Sequence, residues 1–325
     1  MSETAMTYSE ALLGAIVEAM DEDERVALVW GSLGGVSGIK LDFGSLRDRH
    51  ADRIVDPPIS EAGIVGIATG AAMAGLRPIV PIGTGSFLFR AWDQLIHEAG
   101  GAHYMSNGRV TAPLVIHIRH GMRGGGGVQH SQSPQAMLWN APGIEIAMPS
   151  TPADAKGLMR TAIFSDNPTV FLDHQMLLRR EGPVPDGKHA VPFGKAAVAR
   201  PGRDVTVVAA SLQVVAALAA AATLAADGIE AEVIDLRSLV PLDQEAILNS
   251  VGRTGRLVVA DECAPRCSIA SEIAATVAEK GFDLLKKAPV RVNRLPSHVA
   301  SSPVLEDALR PDAGRIAAAV RGLMD

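Results

Sequence analysis

Two residues of this 325-residue chain stand where acid–base chemistry could be done. Glu61 opens the run EAGIVGIATGAAMAG directly after Ser60, a residue type that caps helices. A carboxylate in a first turn complements the helix dipole by about 0.3–1 kcal/mol, so a structural role alone would account for it. The helix behind it, however, is glycine-rich and nearly free of charge, which implies burial. A carboxylate at the mouth of a buried element is a candidate for perturbed acid–base behaviour. His130 follows the four-glycine run Gly124–Gly127 in GMRGGGGVQHSQSP. Flexible glycines beside a histidine suit a lid carrying an acid or base. A structural or solvated histidine on a mobile surface loop is the plainer alternative.

Other chemistry is scarce. The stretch GSLGGVSG (31–38) follows a strand but is not G-x-G-x-x-G, and no Walker loop, G-x-S-x-G elbow or metal-ligand spacing occurs. The two cysteines, Cys263 and Cys267, are too few and too close for a disulfide framework or a zinc site, and suit reduced thiols in the cytoplasm. Thirty basic against 36 acidic residues, net −6 and without long like-charge blocks, speak against a nucleic-acid binder. The acidic N-terminal stretch lacks the basic residues of a signal or transit peptide. The longest uncharged stretch, 205–226, splits into a strand and an alanine-rich helix, so no membrane span is expected.

The elements that must position these residues follow from periodicity. At roughly 150 residues per domain the chain should hold two. Thr7-x-x-Glu10 before an apolar run reads as a capping box, predicting a helix over about 8–20. Short β-branched runs at 26–30, 78–82, 113–118, 144–148 and 169–172 alternate with helical patterns at 60–75, 86–99, 133–140 and 152–165. Such alternation implies an α/β fold, a parallel sheet with helices on both faces. Residues 186–202, rich in Pro, Gly and charge, read as a linker. Beyond them strands at 205–210, 230–236, 256–262 and 290–295 alternate with helices in a smaller α/β unit. The expected domains are therefore 1–185 and 203–325.

Several long segments carry a resemblance. PPISEAGIVGIATGAAMAGLRPIV (57–80), AWDQLIHEAG (91–100), VQHSQSP (128–134), PSTPADAKGLMRTAI (149–163), EVIDLRSLVPLD (232–243) and TGRLVVADE (254–262) resemble the β subunit of thiamine-diphosphate-dependent 2-oxo acid dehydrogenases, the pyruvate dehydrogenase type. The stretch at 261–290 and GMRGGGGVQHSQ lean towards the acetoin dehydrogenase branch. The resemblance implies a transketolase-like pyrimidine-binding domain followed by a transketolase C-terminal domain. It implies thiamine diphosphate as cofactor, shared with an α subunit in an α2β2 heterotetramer. That subunit would supply the diphosphate and Mg2+ site through a Gly-Asp-Gly motif, which this sequence lacks. A dihydrolipoyl acyltransferase would receive the acyl group on its lipoyl arm.

By the same resemblance, Glu61 matches the glutamate that hydrogen-bonds the aminopyrimidine, where protonating a ring nitrogen favours the imino tautomer. Phe87, otherwise an ordinary core phenylalanine, matches the aromatic packed on the pyrimidine. His130 matches the histidine facing the reacting carbonyl and the lipoyl group. AIFSDNP (162–168) is similar to a loop whose carbonyls hold a structural cation in some members, which makes Ala162, Ile163 and Asn167 candidate ligands, although Ser165 stands where an aspartate is usual. Three departures are visible. Gly31-Ser32-Leu33 replaces an acidic Gly-Glu-Asp linked to coupling between paired active sites, Pro81 replaces a common glutamate, and Ser297-His298-Val299-Ala300 replaces a Thr-Pro-Val-Pro run and is expected to alter the C-terminal domain surface. The expected activity is cleavage of acetoin, with pyruvate or a branched-chain 2-oxo acid next. A split transketolase half, for which Arg119, His120 and Arg123 are the local basic cluster, and a non-catalytic scaffold are the alternatives.

Overall fold

Thr7 ends the first strand, Glu3–Thr7, and caps the helix Tyr8–Glu22 as its spacing predicts. Its hydroxyl accepts from the Glu10 amide at 3.2 Å, and the Glu10 carboxylate accepts from the Thr7 amide at 2.8 Å. The structure is a computed structural model that describes residues 2–29 and 43–325. The departure at Gly31-Ser32-Leu33 lies outside the described residues.

Among the described residues the larger sheet has seven strands. In spatial order they are Ser238–Val240, Glu145–Ala147, Thr169–His174, Val115–His120, Arg77–Ile82, Val26–Val29 and Ile54–Val55. All neighbours run parallel except the first pair. Alternate side chains of a strand point to opposite faces, and the packing follows that rule. Ile79, Val115 and Phe171 face a core completed by Leu12, Ile16 and Met20 of the first helix and by Leu158 and Met159 of the helix Pro152–Phe164. Their neighbours Val80, Ile116, Val170 and Leu172 face the other way, onto Ile64, Val65 and Ala68 of the helix Glu61–Met73. Burial on both faces explains why these strands read as continuous apolar runs.

The second sheet has the order Val290–Asn293, Leu257–Asp261, Val205–Ala209, Ala231–Asp235 and Ala197–Arg200, the last strand antiparallel. Two features depart from the sequence reading. The stretch 186–202 is not all connection, because Ala197–Arg200 forms an edge of this sheet. The strand Ser238–Val240 leaves the second unit and closes the edge of the first sheet against Glu145–Ala147. One apolar cluster accordingly runs across both units, joining Ile144, Ile146 and Met148 to Leu236, Leu239, Val259 and Ile273.

The segment 86–99 is helical but not α-helical. Gly85–Ala91 is a 3-10 turn and Gln94–Ala99 a π turn. Gly85 explains the irregular start, since a Cβ there would lie 2.9 Å from the Pro134 ring. Close approach to the loop that carries His130 is what this position requires.

Candidate active site

Glu61 begins its helix as predicted, with the Ser60 hydroxyl accepting from the Gly63 amide at 3.3 Å. The carboxylate is half-buried and has no hydrogen-bond partner among the described residues. The helix behind it is not buried throughout. Ile64, Val65, Ala68 and Ala72 face the core, while Gly63, Ile67, Gly70 and Met73 are exposed. Lack of charge marks a surface left apolar here, not one covered by this chain.

The turn Gly85–Ala91 packs against both the Glu61 helix and the short helix Gly127–His130. It brings Phe87 and His130 together, with the imidazole meeting the phenyl ring edge to face at 5.4 Å between centroids. Phe87 is half-buried against the core and His130 is exposed. The backbone of the histidine is held firmly. Its carbonyl accepts from Arg123 Nε at 2.7 Å and from the Thr84 hydroxyl at 3.2 Å, and the neighbouring Gln129 carbonyl accepts from Ser86.

The glycine run does not form the free loop that its composition suggests. The amides of Gly124, Gly125 and Gly126 all donate to the carboxylate of Glu306, a buried residue of the second unit. Ser301 and Pro303 lie against the same glycines, so the segment after Ser297-His298-Val299-Ala300 borders the His130 loop and is more than domain surface.

A second buried carboxylate lies on the far side of the loop. Glu262 accepts from the Met122 amide at 2.6 Å, the Ser133 hydroxyl at 3.1 Å and His174 Nε2 at 3.0 Å. Burial alone would raise its pKa, but the His174 ring and these donors bring it down to about 2. His174 Nδ1 accepts from the Met176 amide, which fixes the tautomer. Beside it His120 is pushed down to about 3 by burial and by the His174 ring, so it is neutral. That removes one member of the basic cluster Arg119, His120 and Arg123. Sequence reasoning missed Glu262 and Glu306, whose partners lie on the other unit.

In the loop after Phe164 the carbonyls have a partner from the protein. Arg77 Nη1 donates to the carbonyls of Ile163 at 3.2 Å and Ser165 at 2.7 Å, and Nη2 to Asp166 at 2.6 Å. Asn167 turns its side-chain amide to Glu145 at 3.2 Å, and Ser165 donates to the same carboxylate at 2.7 Å. Among the described residues no group of three His, Cys, Asp or Glu side chains is placed to hold a metal ion. Both cysteines are free, and burial pushes the Cys263 thiol well up. No described helix is long and apolar enough to cross a membrane.

Two sheets joined by a shared core, with Phe87 meeting His130 and its turn packed on the helix that Glu61 begins, define a class. Residues 4–181 match the transketolase pyrimidine-binding domain and residues 194–316 the transketolase C-terminal domain, and the chain has both. A split-gene transketolase, solved as an inactive β4 tetramer, shares the fold at a TM-score of 0.80 and 23% identity, covering 98% of each chain. Within that class the chain belongs to the β-subunit family of acetoin and 2-oxo acid dehydrogenase first components. It is 44% identical over 291 residues to the acetoin:2,6-dichlorophenolindophenol oxidoreductase β subunit of Cupriavidus necator, spanning 90% of this chain and 85% of that one. To the 2-oxoisovalerate dehydrogenase β subunit of Bacillus subtilis it is 37% identical, over 99% of both chains.

Proposed function

We propose that this chain is the β half of an α2β2 thiamine-diphosphate enzyme that cleaves acetoin and passes the acetyl unit to the lipoyl arm of a dihydrolipoyl acyltransferase. The observation that carries the reading is the junction at Gly85–Ala91, where one turn touches the helix of Glu61 and presents Phe87 to His130. The residues fit the pyrimidine end of the cofactor. The carboxyl group of Glu61 is unpaired among the described residues, and Phe87 offers a half-buried aromatic face. They do not fit the diphosphate end. Among the described residues, three consecutive glycine amides could cradle an anion but already hold Glu306, and the sequence has no Gly-Asp-Gly. The α subunit is therefore assigned the diphosphate and its Mg2+.

When bound, thiamine diphosphate supplies a carbon nucleophile. The residues of this chain do the rest of what falls to a β subunit. Glu61 exchanges a proton with the pyrimidine ring nitrogen. Phe87 covers the ring and excludes water, and His130 holds a proton towards the carbonyl under attack and receives the lipoyl group.

The exposed stripe Gly63, Ile67, Gly70 and Met73 supports packing against another subunit, because small residues let backbones approach. The 44% identity to the acetoin enzyme of Cupriavidus necator supports acetoin as the first substrate to test, with pyruvate and a branched-chain 2-oxo acid next, since relatives that act on those are 41% and 37% identical. A sugar phosphate is disfavoured because His120 is neutral and buried. Co-expression with an α-type subunit bearing Gly-Asp-Gly tests the reading. Acetoin turnover that needs both chains, Mg2+ and thiamine diphosphate is expected. Micromolar, Mg2+-dependent binding of thiamine diphosphate by this chain alone would overturn the half-site assignment.

A further inference from the structure

A run of four glycines ahead of a histidine suggests freedom, yet three of these glycines are tied to one carboxylate of the second unit. Glu306 lies in the helix Pro303–Leu309 of the second unit, and its side chain is fully buried. One carboxylate oxygen accepts from the Gly124 amide at 2.6 Å. The other accepts from Gly125 at 2.9 Å, from Gly126 at 3.2 Å and from the Ser131 hydroxyl at 3.2 Å. Arg310 stands 3.8 Å away as a countercharge. Four donors thus converge on one buried acceptor group, which matches the acceptor capacity of a carboxylate and of no neutral side chain of that size.

Here the three successive amides are turned to one spot by a backbone with positive φ at Gly124 (+89°) and Gly125 (+105°). At Gly125 a Cβ would also lie 2.8 Å from the Ser301 carbonyl, so this position requires glycine twice over. The glycines serve a fixed shape, not mobility. From this nest the chain is short and closed to the histidine. Ser131, bonded to Glu306 through its hydroxyl, donates its amide to the Gly127 carbonyl at 3.1 Å. Arg123, just before the nest, holds the His130 carbonyl.

We infer that Glu306 is a positioning residue for His130: reaching across from the second unit, it clamps the glycine loop and thereby sets where the imidazole stands against Phe87 and the reacting group. The part that concerns turnover rests on the proposed function; the clamp itself does not.

Two variants and two readouts test it. In the full chain assembled with its α subunit, Glu306→Ala should accelerate hydrogen exchange at 124–131 by about tenfold or more, without matching change in the core strands. Its kcat should fall, by no more than the roughly 10²–10⁴-fold expected for losing the acid–base group itself, while KM changes little. Glu306→Gln keeps the volume but turns an NH2 group towards the amides of the nest, and should fall between wild type and alanine in both readouts. That ordering supports the proposal and keeps it testable if the alanine variant fails to fold. Unchanged loop exchange in the glutamine variant overturns the clamp whatever reaction is catalysed. Faster exchange with wild-type kcat overturns the positioning role. A wild-type assembly inactive on every 2-oxo acid and on acetoin counts against the functional reading alone, and loop exchange still decides the clamp.

Discussion

Two loops of this protein are closed by opposite charges of its own. At 124–126 three amide donors converge on the Glu306 carboxylate; at 163–165 two carbonyl acceptors converge on the Arg77 guanidinium. In each case composition or resemblance pointed to something else, a mobile lid in the first and a bound cation in the second. The difference lies in what each loop carries. The first ends in His130 against Phe87, whereas the second joins the helix Pro152–Phe164 to the strand Thr169–His174 and bonds to Arg77 and Glu145. Disturbing the first should damage turnover, and disturbing the second should damage stability. We propose that Arg77, bonded to the carbonyls of Ile163 and Ser165, supplies the positive charge that a structural cation was expected to bring to the loop of Ala162, Ile163 and Asn167.

The sharpest contrast comes from the acid–base groups themselves. His130→Ala in the assembled enzyme should retain thiamine diphosphate binding and lose about 10²–10⁴-fold in turnover. Rates within threefold of wild type would reduce the histidine to a loop residue. Glu61→Gln should likewise remove most activity while costing no more than about 1 kcal/mol of stability, since only a helix-dipole contact is weakened. Near-normal turnover with cofactor bound would break the assignment.

Arg77→Met provides the other arm. Leaving buried carbonyls without their donor should cost about 1–3 kcal/mol in chemical denaturation, with the activity of the remaining folded enzyme preserved. The wild-type melting temperature should also be insensitive to K+, because a cation binding there at a hundred times its Kd would add about 2.7 kcal/mol. A marked rise in melting temperature with K+ would restore the metal site and erase the contrast.

The smallest effect concerns a third buried ionisable group, at the seam between the units. Burial and the Asp154 charge push Asp235 up to about 7, against the Ser150 hydroxyl that donates to it at 2.5 Å. Its folded pKa lies above the ordinary value of 3.8, so the folded chain holds a proton that the unfolded chain releases. That contribution to stability is fully present below 3.8 and is lost as pH rises through about 7. Glu262 has the opposite sign, contributing above 4.5 and losing its contribution as pH falls towards 2. Denaturation of Asp235→Asn between pH 5 and 8 should show a weaker decline with pH than wild type. An identical slope would place the titration elsewhere.

What the sequence disclosed was local. Thr7 and Glu10 announce their capping box, Ser60 its helix, and the β-branched runs their strands, because each signal needs only a few neighbouring residues. His130 stood out beside its glycine run, but the role proposed for Phe87 was legible only through resemblance, and nothing in their own spacing brings the two together. Glu306 was not legible, since its glycine partners lie about 180 residues away. Arg77 is separated from Ser165 by 88 positions, so no local pattern links the two. Ser238–Val240 is too short for any periodicity to show, and the turns at 85–99 carry a helical pattern without an α-helical backbone.

That three-residue strand bears on how the gene for this chain could be divided. A cut within 186–202 would respect the change in composition, yet it would separate Glu145–Ala147 from the strand that covers it. The liberated first half would expose unpaired amides and carbonyls along a rim already lined with Ile144 and Ile146, and open rims of that kind seek other chains. Fragment expression should therefore yield aggregates or foreign pairings, and a fragment meant to stay dispersed would have to run through Val240.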